Sequence, residues 1–205
     1  MTSTLVIETA TAACSVALIE DGVVLAAIHE IVGRGHAERL VPMIAELPGG
    51  GRAERVLVDC GPGSFTGIRV GIAAARGLGL GWQIPVAGCS STALIAAAAF
   101  ARTSLTNLAV VLEGGHGEVF MQGFAASPFT ATEALASRTP ATARAALGGR
   151  RAFGTGVRWL RDDDSDAAMT ETFPDAADAT LLPAAFADLP PRPIYGRPPD
   201  ATAPA

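Results

Sequence analysis

An α/β fold of two duplicated lobes, each a mixed β-sheet covered by helices, is predicted by three features of the sequence. Three short β-branched runs open the chain, strand and helix patterns then alternate, and a strand, turn and strand pattern starts afresh at Asn107. A chain of 205 residues can bury such a core without disulfides or metal staples.

The elements follow in order. Thr4 to Thr9 and Cys14 to Glu20 read as strands, and Val23 to Ile31 follows across Asp21-Gly22, a dipeptide that tolerates positive φ in a hairpin turn. Leu40, Met43, Ile44 and Leu47 recur at helical spacing before Pro48 and three glycines end the helix. Val56 to Cys60 reads as a buried strand running into the loop Gly61 to Gly67. Ile68, Ile72, Ala75 and Leu78 mark a helix starting near Gly67, Ile84 to Ala87 a short strand, and Ser91 to Arg102 a helix capped by Ser90 or Ser91. A hairpin-linked triplet followed by βα crossovers predicts a five-stranded mixed sheet, because parallel crossovers need helical cover.

From Asn107 the run LAVVLE, a Gly-Gly-His-Gly turn and EVFMQGF repeat the opening hairpin. The second half is weaker: helices over Arg138 to Leu147 and Asp178 to Leu189, a short strand over Arg151 to Phe153, a solvated acidic loop over Asp162 to Asp164, and an extended proline-rich tail from Pro190. The expected division is a first lobe over residues 1–103 and a trimmed second lobe over 104–205.

Composition excludes several chemistries. All 15 basic residues are arginine, so a GxxxxGK phosphate loop and every lysine Schiff base are ruled out. With 41 alanines, 5% aromatics, a net charge of −5 and scattered arginines, no broad footprint for nucleic acid is present. Cys14, Cys60 and Cys89 lack paired spacing and lie in apolar strands, where free cysteine behaves as a small hydrophobe. The opening MTSTLVIETA lacks a basic region and a long apolar core, and the apolar stretch Ala93 to Ala101 is too short to span a bilayer; a reduced, cytoplasmic protein with no membrane contact is expected.

The most specific signal is Gly61-Pro62-Gly63-Ser64-Phe65-Thr66-Gly67 followed by Ile68-Arg69-Val70-Gly71. Its glycines permit positive φ or close backbone approach, Ser64 and Thr66 can cap the following helix, and amides at a helix N-terminus can hold an anion; structural turn and ligand contact both stay open. The spacing matches neither GxGxxG nor the GxSxG nucleophile elbow.

With LVIETATAACSVALIEDG, RGHAERLVPMI and the late PIYGRPPDA, this loop resembles the TsaB (YeaZ) family of tRNA threonylcarbamoyladenosine (t6A) synthesis. The resemblance implies an actin-like, Hsp70-like ATPase (ASKHA, RNase H-like) fold. It also implies a non-catalytic subunit that pairs with and activates TsaD, the metal-containing enzyme that transfers threonylcarbamoyl to N6 of adenosine 37, with TsaE joining, tRNA held only through the complex, and a homodimer when alone. Carried onto this sequence, Leu40, Met43, Ile44, Leu47, Ile68, Ile72 and Ala75, with Arg69 and Arg76 at the rim, form the expected partner interface. Glu8, Thr9, Gly61, Gly63, Ser64, Thr66 and Gly67 form the nucleotide or anion site, with ATP or ADP between subunits as the cofactor the resemblance allows.

Departures from the family pattern qualify this. The usual Asp-Thr-Ser of the first hairpin is Glu8-Thr9-Ala10, and the usual Asp-Ala-Arg of the second is Glu113-Gly114-Gly115, which weakens any magnesium-phosphate site. TsaD-like enzymes hold metal with a His-x3-His pair, whereas His29, His36 and His116 stand apart; no catalytic metal is expected, and His36 reads as a surface or cap residue. The alternative is a stand-alone ATPase or glycopeptidase (M22-like) of the same fold.

Overall fold

The opening runs form β1 (Ser3–Glu8), β2 (Ala13–Glu20) and β3 (Val23–Ile31), an antiparallel meander whose second turn places Asp21 at φ 46° and Gly22 at φ 81°. The computed structural model describes residues 2–161 and 168–196, so the acidic run Asp162 to Asp164 and Arg197 lie outside the described residues. Next come α1 (His36–Glu46), β4 (Arg55–Asp59), α2 (Phe65–Trp82), β5 (Val86–Cys89) and α3 (Ser91–Arg102). Helix α2 begins two residues before the expected start, because the Ser64 hydroxyl accepts from the Gly67 amide at 3.2 Å and makes Phe65 the first helical residue. Ser90 caps α3 in the same way at 3.3 Å. Strand β5 starts at Val86 rather than Ile84, since Pro85 has no N–H for the ladder.

The first sheet has the order β3-β2-β1-β4-β5, with β1, β4 and β5 parallel. The second half supplies β6 (Asn107–Gly115), β7 (Glu118–Ala126), β8 (Phe129–Ala131), β9 (Ala136–Arg138), α4 (Pro140–Ala146), β10 (Ala152–Phe153) and β11 (Met169–Thr170). Its path β8-β7-β6-β10-β11 repeats the order of the first sheet with the same antiparallel and parallel pairings, and β9 adds a sixth strand, antiparallel to β7. The duplication is trimmed: β10 and β11 have two residues each. The expected helix over Asp178 to Leu189 is instead two 3-10 turns, Ala176–Leu181 and Ala184–Phe186, because Pro183 removes a donor between them. The expected helix over Arg138 to Leu147 shortens to α4, with Thr139 as its cap and Arg138 in β9.

One face of the first sheet, Leu5, Ile7, Val56 and Val58, packs on α1 and α2 through Leu40, Met43, Ile44, Leu47, Ile68, Ile72 and Ala75. These six helix residues and Leu47 just after α1 are all buried, which corrects their expected place at a partner interface: the apolar stripe is spent on the sheet beneath it. Helix α3 is shared. Its Leu94 packs on the opposite face of the first sheet, while Ala93, Ile95, Ala96 and Ala99 pack on Leu108, Val110 and Phe124 of the second.

The chain then returns to the first lobe. Residues 176–181 cover β2 and β3, Leu189 exchanges hydrogen bonds with Gly88 at the β5 edge (2.9 and 2.6 Å), and the Ile194 amide donates to the Cys60 carbonyl at 2.8 Å. The last described stretch of the second half thus straps across the first lobe.

Candidate functional site

The glycines of the loop after β4 are explained by what lies against them. A Cβ at Gly63 would overlap the Ala10 carbonyl oxygen, and one at Gly67 the Thr9 carbonyl oxygen. The loop and the first turn of α2 are pressed onto the β1–β2 turn, where the Ser64 amide donates to the Ala10 carbonyl (2.6 Å) and the Thr9 hydroxyl to the Gly67 carbonyl (2.8 Å).

These contacts use up most of the expected anion site. Glu8, Thr9, Gly61 and Gly67 are buried, and the Gly61 amide donates to Asp59 Oδ1 at 2.8 Å. Of the expected set only Gly63 and Ser64 line the neighbouring cleft; exposed Thr66 is not among its walls. Glu8 is fully buried and its Oε1 accepts from the Ala10 amide at 2.6 Å, so a magnesium ion carried by a nucleotide in the cleft does not fit this carboxyl.

The cleft has a volume of about 840 Å³ and lies between the lobes. Its floor is the β1–β2 turn and Gly63–Phe65, the facing wall is the β6–β7 turn Glu113 to His116, and the strap residues Ile194 to Gly196 close one side. Arg34 and Arg69 supply positive charge. The Arg69 guanidinium lies 3.5 Å from the Phe65 ring centre and donates to the Tyr195 hydroxyl at 3.0 Å, and Tyr195 stacks on Phe65 at 6.0 Å. Across the cleft Glu113 is held by Arg158 and by the Trp159 indole N–H, the latter at 3.0 Å.

Ser64, Glu113 and His116 are among the residues lining this space. Among the described residues no cluster of three or more His, Cys, Asp or Glu side chains is arranged to hold a metal. Burial pushes the Cys14 and Cys60 thiols up to about 12 and also raises Cys89 well above its ordinary value, so none is a thiolate nucleophile near neutral pH. His36 is buried, not at the surface, and its Nε2 bonds the Ala13 carbonyl at 2.9 Å. His29 Nδ1 lies 3.4 Å from Asp175 Oδ2, and His116 sits on the cleft wall at φ 53°.

Sequence reasoning missed Asp59, Tyr195 and Asp175. Asp59 was hidden in an apolar run, where a charged residue ending VLVD was itself a signal. No local pattern could have linked Tyr195 or Asp175 to the first lobe.

The family model of TsaD, tRNA N6-adenosine threonylcarbamoyltransferase, matches residues 27–149, more than half of the chain. The tRNA threonylcarbamoyladenosine biosynthesis protein TsaB of Escherichia coli strain K12 is 37% identical over 121 residues, 57% of this chain and 52% of that protein. The chain belongs to the TsaB/YeaZ family. A second TsaB, from Haemophilus influenzae, is 36% identical over 121 residues, 57% of this chain and 51% of its own length, so the chain spans about half the length of the curated relatives it matches. The solved structure of YeaZ from Pseudomonas aeruginosa superposes with a TM-score of 0.79 at 26% identity, covering 95% of this chain and all of that one. The duplicated sheets are thus those of the YeaZ fold. No helix among the described residues is long and apolar enough to cross a membrane.

Proposed function

We propose that this chain is a non-catalytic subunit in t6A modification of tRNA, acting by pairing with a TsaD-type enzyme and permitting its threonylcarbamoyl transfer. The observation that supports this reading is the likeness of the chain and its two-lobed sheet pair to proteins named for t6A biosynthesis. Such a molecule is a scaffold, and its activity lies in what it docks.

The burial pattern supports a docking face on the outer side of α1 and α2. With the inner stripes of α1 and α2 committed to the sheet, the outer face offers Val41 (63% exposed), Leu80 (83%), Ala73 and Gly77, flanked by Arg69 and Arg76. Apolar residues this exposed beside small ones let a partner helix approach closely. In the same reading TsaE joins the assembly, nucleotide binds between subunits, tRNA is held by the partners, and the free chain pairs with itself through this face. Reconstitution of t6A formation with and without the chain tests the proposal. Loss of product without it is expected; undiminished product would overturn it, and ATP or glycopeptide turnover by the isolated chain would favour a stand-alone enzyme.

A further inference from the structure

A row of polar side chains crosses the first sheet at the carboxyl ends of its parallel strands. Ser15 pairs with His29 and Glu8 with Ser15, Ile7 pairs with Val58 and so sets Glu8 beside Asp59, and Asp59 pairs with Cys89. Glu8 and Asp59 share the face that carries Val6, Leu57 and Cys89, beneath α3 and residues 176–181.

Both carboxyls are fully buried, and each commits one oxygen to a loop at the cleft. Glu8 Oε1 accepts from the Ala10 amide and Asp59 Oδ1 from the Gly61 amide. The other oxygen of each, Glu8 Oε2 and Asp59 Oδ2, makes no hydrogen bond of good geometry, nor does the hydroxyl of fully buried Ser91, although that hydroxyl and the Ser91 amide lie close enough to Asp59 to favour its ionised form. Two ionised carboxylates here would be adjacent like charges in an apolar setting.

Arg55, on the same face of β4 as Asp59, is held by the Ala187 carbonyl and by Asp188 at 3.5 Å, and the remaining groups packed around the pair are these. Beside the pair lie Cys14 and Ser15 on β2, Cys89 on β5, Cys60 after β4, and Ser91 and Thr92 on α3. From residues 175–178 come Asp175, which already binds Ser15 (3.1 Å) and His29, and Asp178, which binds Arg102 at 2.6 Å. His29 and Arg102 are therefore neutralised by carboxylates of their own.

We infer that Glu8 and Asp59 share a single proton, Glu8 Oε2–H donating to Asp59 Oδ2, and that this bond ties together the two loops that floor the cleft. Placing the proton there, with the Ser91 hydroxyl donating to the same Asp59 oxygen, gives all three unpartnered oxygens a bond. Burial raises both carboxyls above their ordinary range, and the charges of Asp59 and Asp175 raise Glu8 further, while the surrounding amides and, at Asp59, the Ser91 hydroxyl oppose the shift. Ionisation would set like charges against each other and loosen the β1–β2 turn and the Gly61–Gly67 loop at once. The inference goes beyond the scaffold reading and makes the shape of the cleft sensitive to pH.

Infrared spectroscopy of the whole chain with ¹³C-labelled carboxyls tests it at neutral pH. A protonated-carboxyl band is expected that disappears as pH rises, with amide exchange at Ala10, Thr11 and Gly61 accelerating over the same interval. Unfolding near pH 6 should release about one proton from the dyad, since the unfolded acids are ionised there. Because His29 contributes with the same sign, the proton count is taken in the His29→Gln background, where Glu8→Gln and Asp59→Asn should each abolish the release. Absence of the band in the unmutated chain at neutral pH overturns the inference without recourse to any variant. So does Mg²⁺- or Mn²⁺-dependent stabilisation that Glu8→Gln removes, which would put a cation where the proton is placed.

Discussion

At the scale of single residues, the loop after β4 is a packing device. Gly67→Ala would drive a methyl group into the Thr9 carbonyl, and neither backbone can retreat without breaking the Thr9–Gly67 hydrogen bond. Overpacking of this kind costs about 1–3 kcal/mol, to be read as a lower midpoint in urea unfolding with an unchanged slope. His29 gives a second prediction. The Asp175 hydrogen bond raises its pKa, so the stability it contributes is full below the ordinary histidine pKa of about 6.5 and is lost as pH rises through the higher folded value. Asp175, lowered by the same partner against the opposing effect of burial, contributes above about pH 4 and loses it in acid. The pair is partly exposed, so screening keeps its worth below about 1 kcal/mol. His29→Gln should flatten the urea midpoint between pH 6 and 8 by no more than that. The caps at Ser64 and Ser90 were legible because capping is local; the burial of Glu8 was not, because it depends on α3 and on residues more than 160 positions away.

At the scale of elements, α1 and α2 each have two faces with different duties. The 3.6-residue period shows which residues share a stripe but not whether the stripe meets a sheet or a partner, and here the stripe chosen from the sequence is the inner one. Leu40→Ala should therefore cost about 2–5 kcal/mol of stability. Leu80→Glu on the outer face should leave stability within about 0.5 kcal/mol while lowering recovery of a TsaD-type partner in co-purification. Strand and helix order in the first hundred residues was legible because hydrophobic period and glycine breaks agree there. Where Pro85 and Pro183 intervene, the ladder or helix yields to the missing N–H, and the element boundaries shift accordingly.

At the scale of the molecule, the two sheets are one design used twice, legible in the restart at Asn107 because a hairpin repeats its local pattern. The strap was not legible, since an extended segment has no periodicity to reveal what it lies on. Tyr195 anchors it through Phe65 and Arg69, with Arg76 donating to the Pro191 carbonyl at 2.7 Å. Tyr195→Ala should raise protease sensitivity around residues 190–196 with only a small change in global unfolding, because the released segment is a locally opening unit.

The return of residues 175–194 onto β2, β5 and Cys60 also bears on how the chain comes to be folded. A ribosome delivers the first lobe's strands long before the segment that borders β5 and covers Ser15. Until then β5 is an open edge, ready to pair with another chain. Contacts of such sequence separation slow folding, so the nascent protein spends its most adhesive interval waiting for residues 175–194.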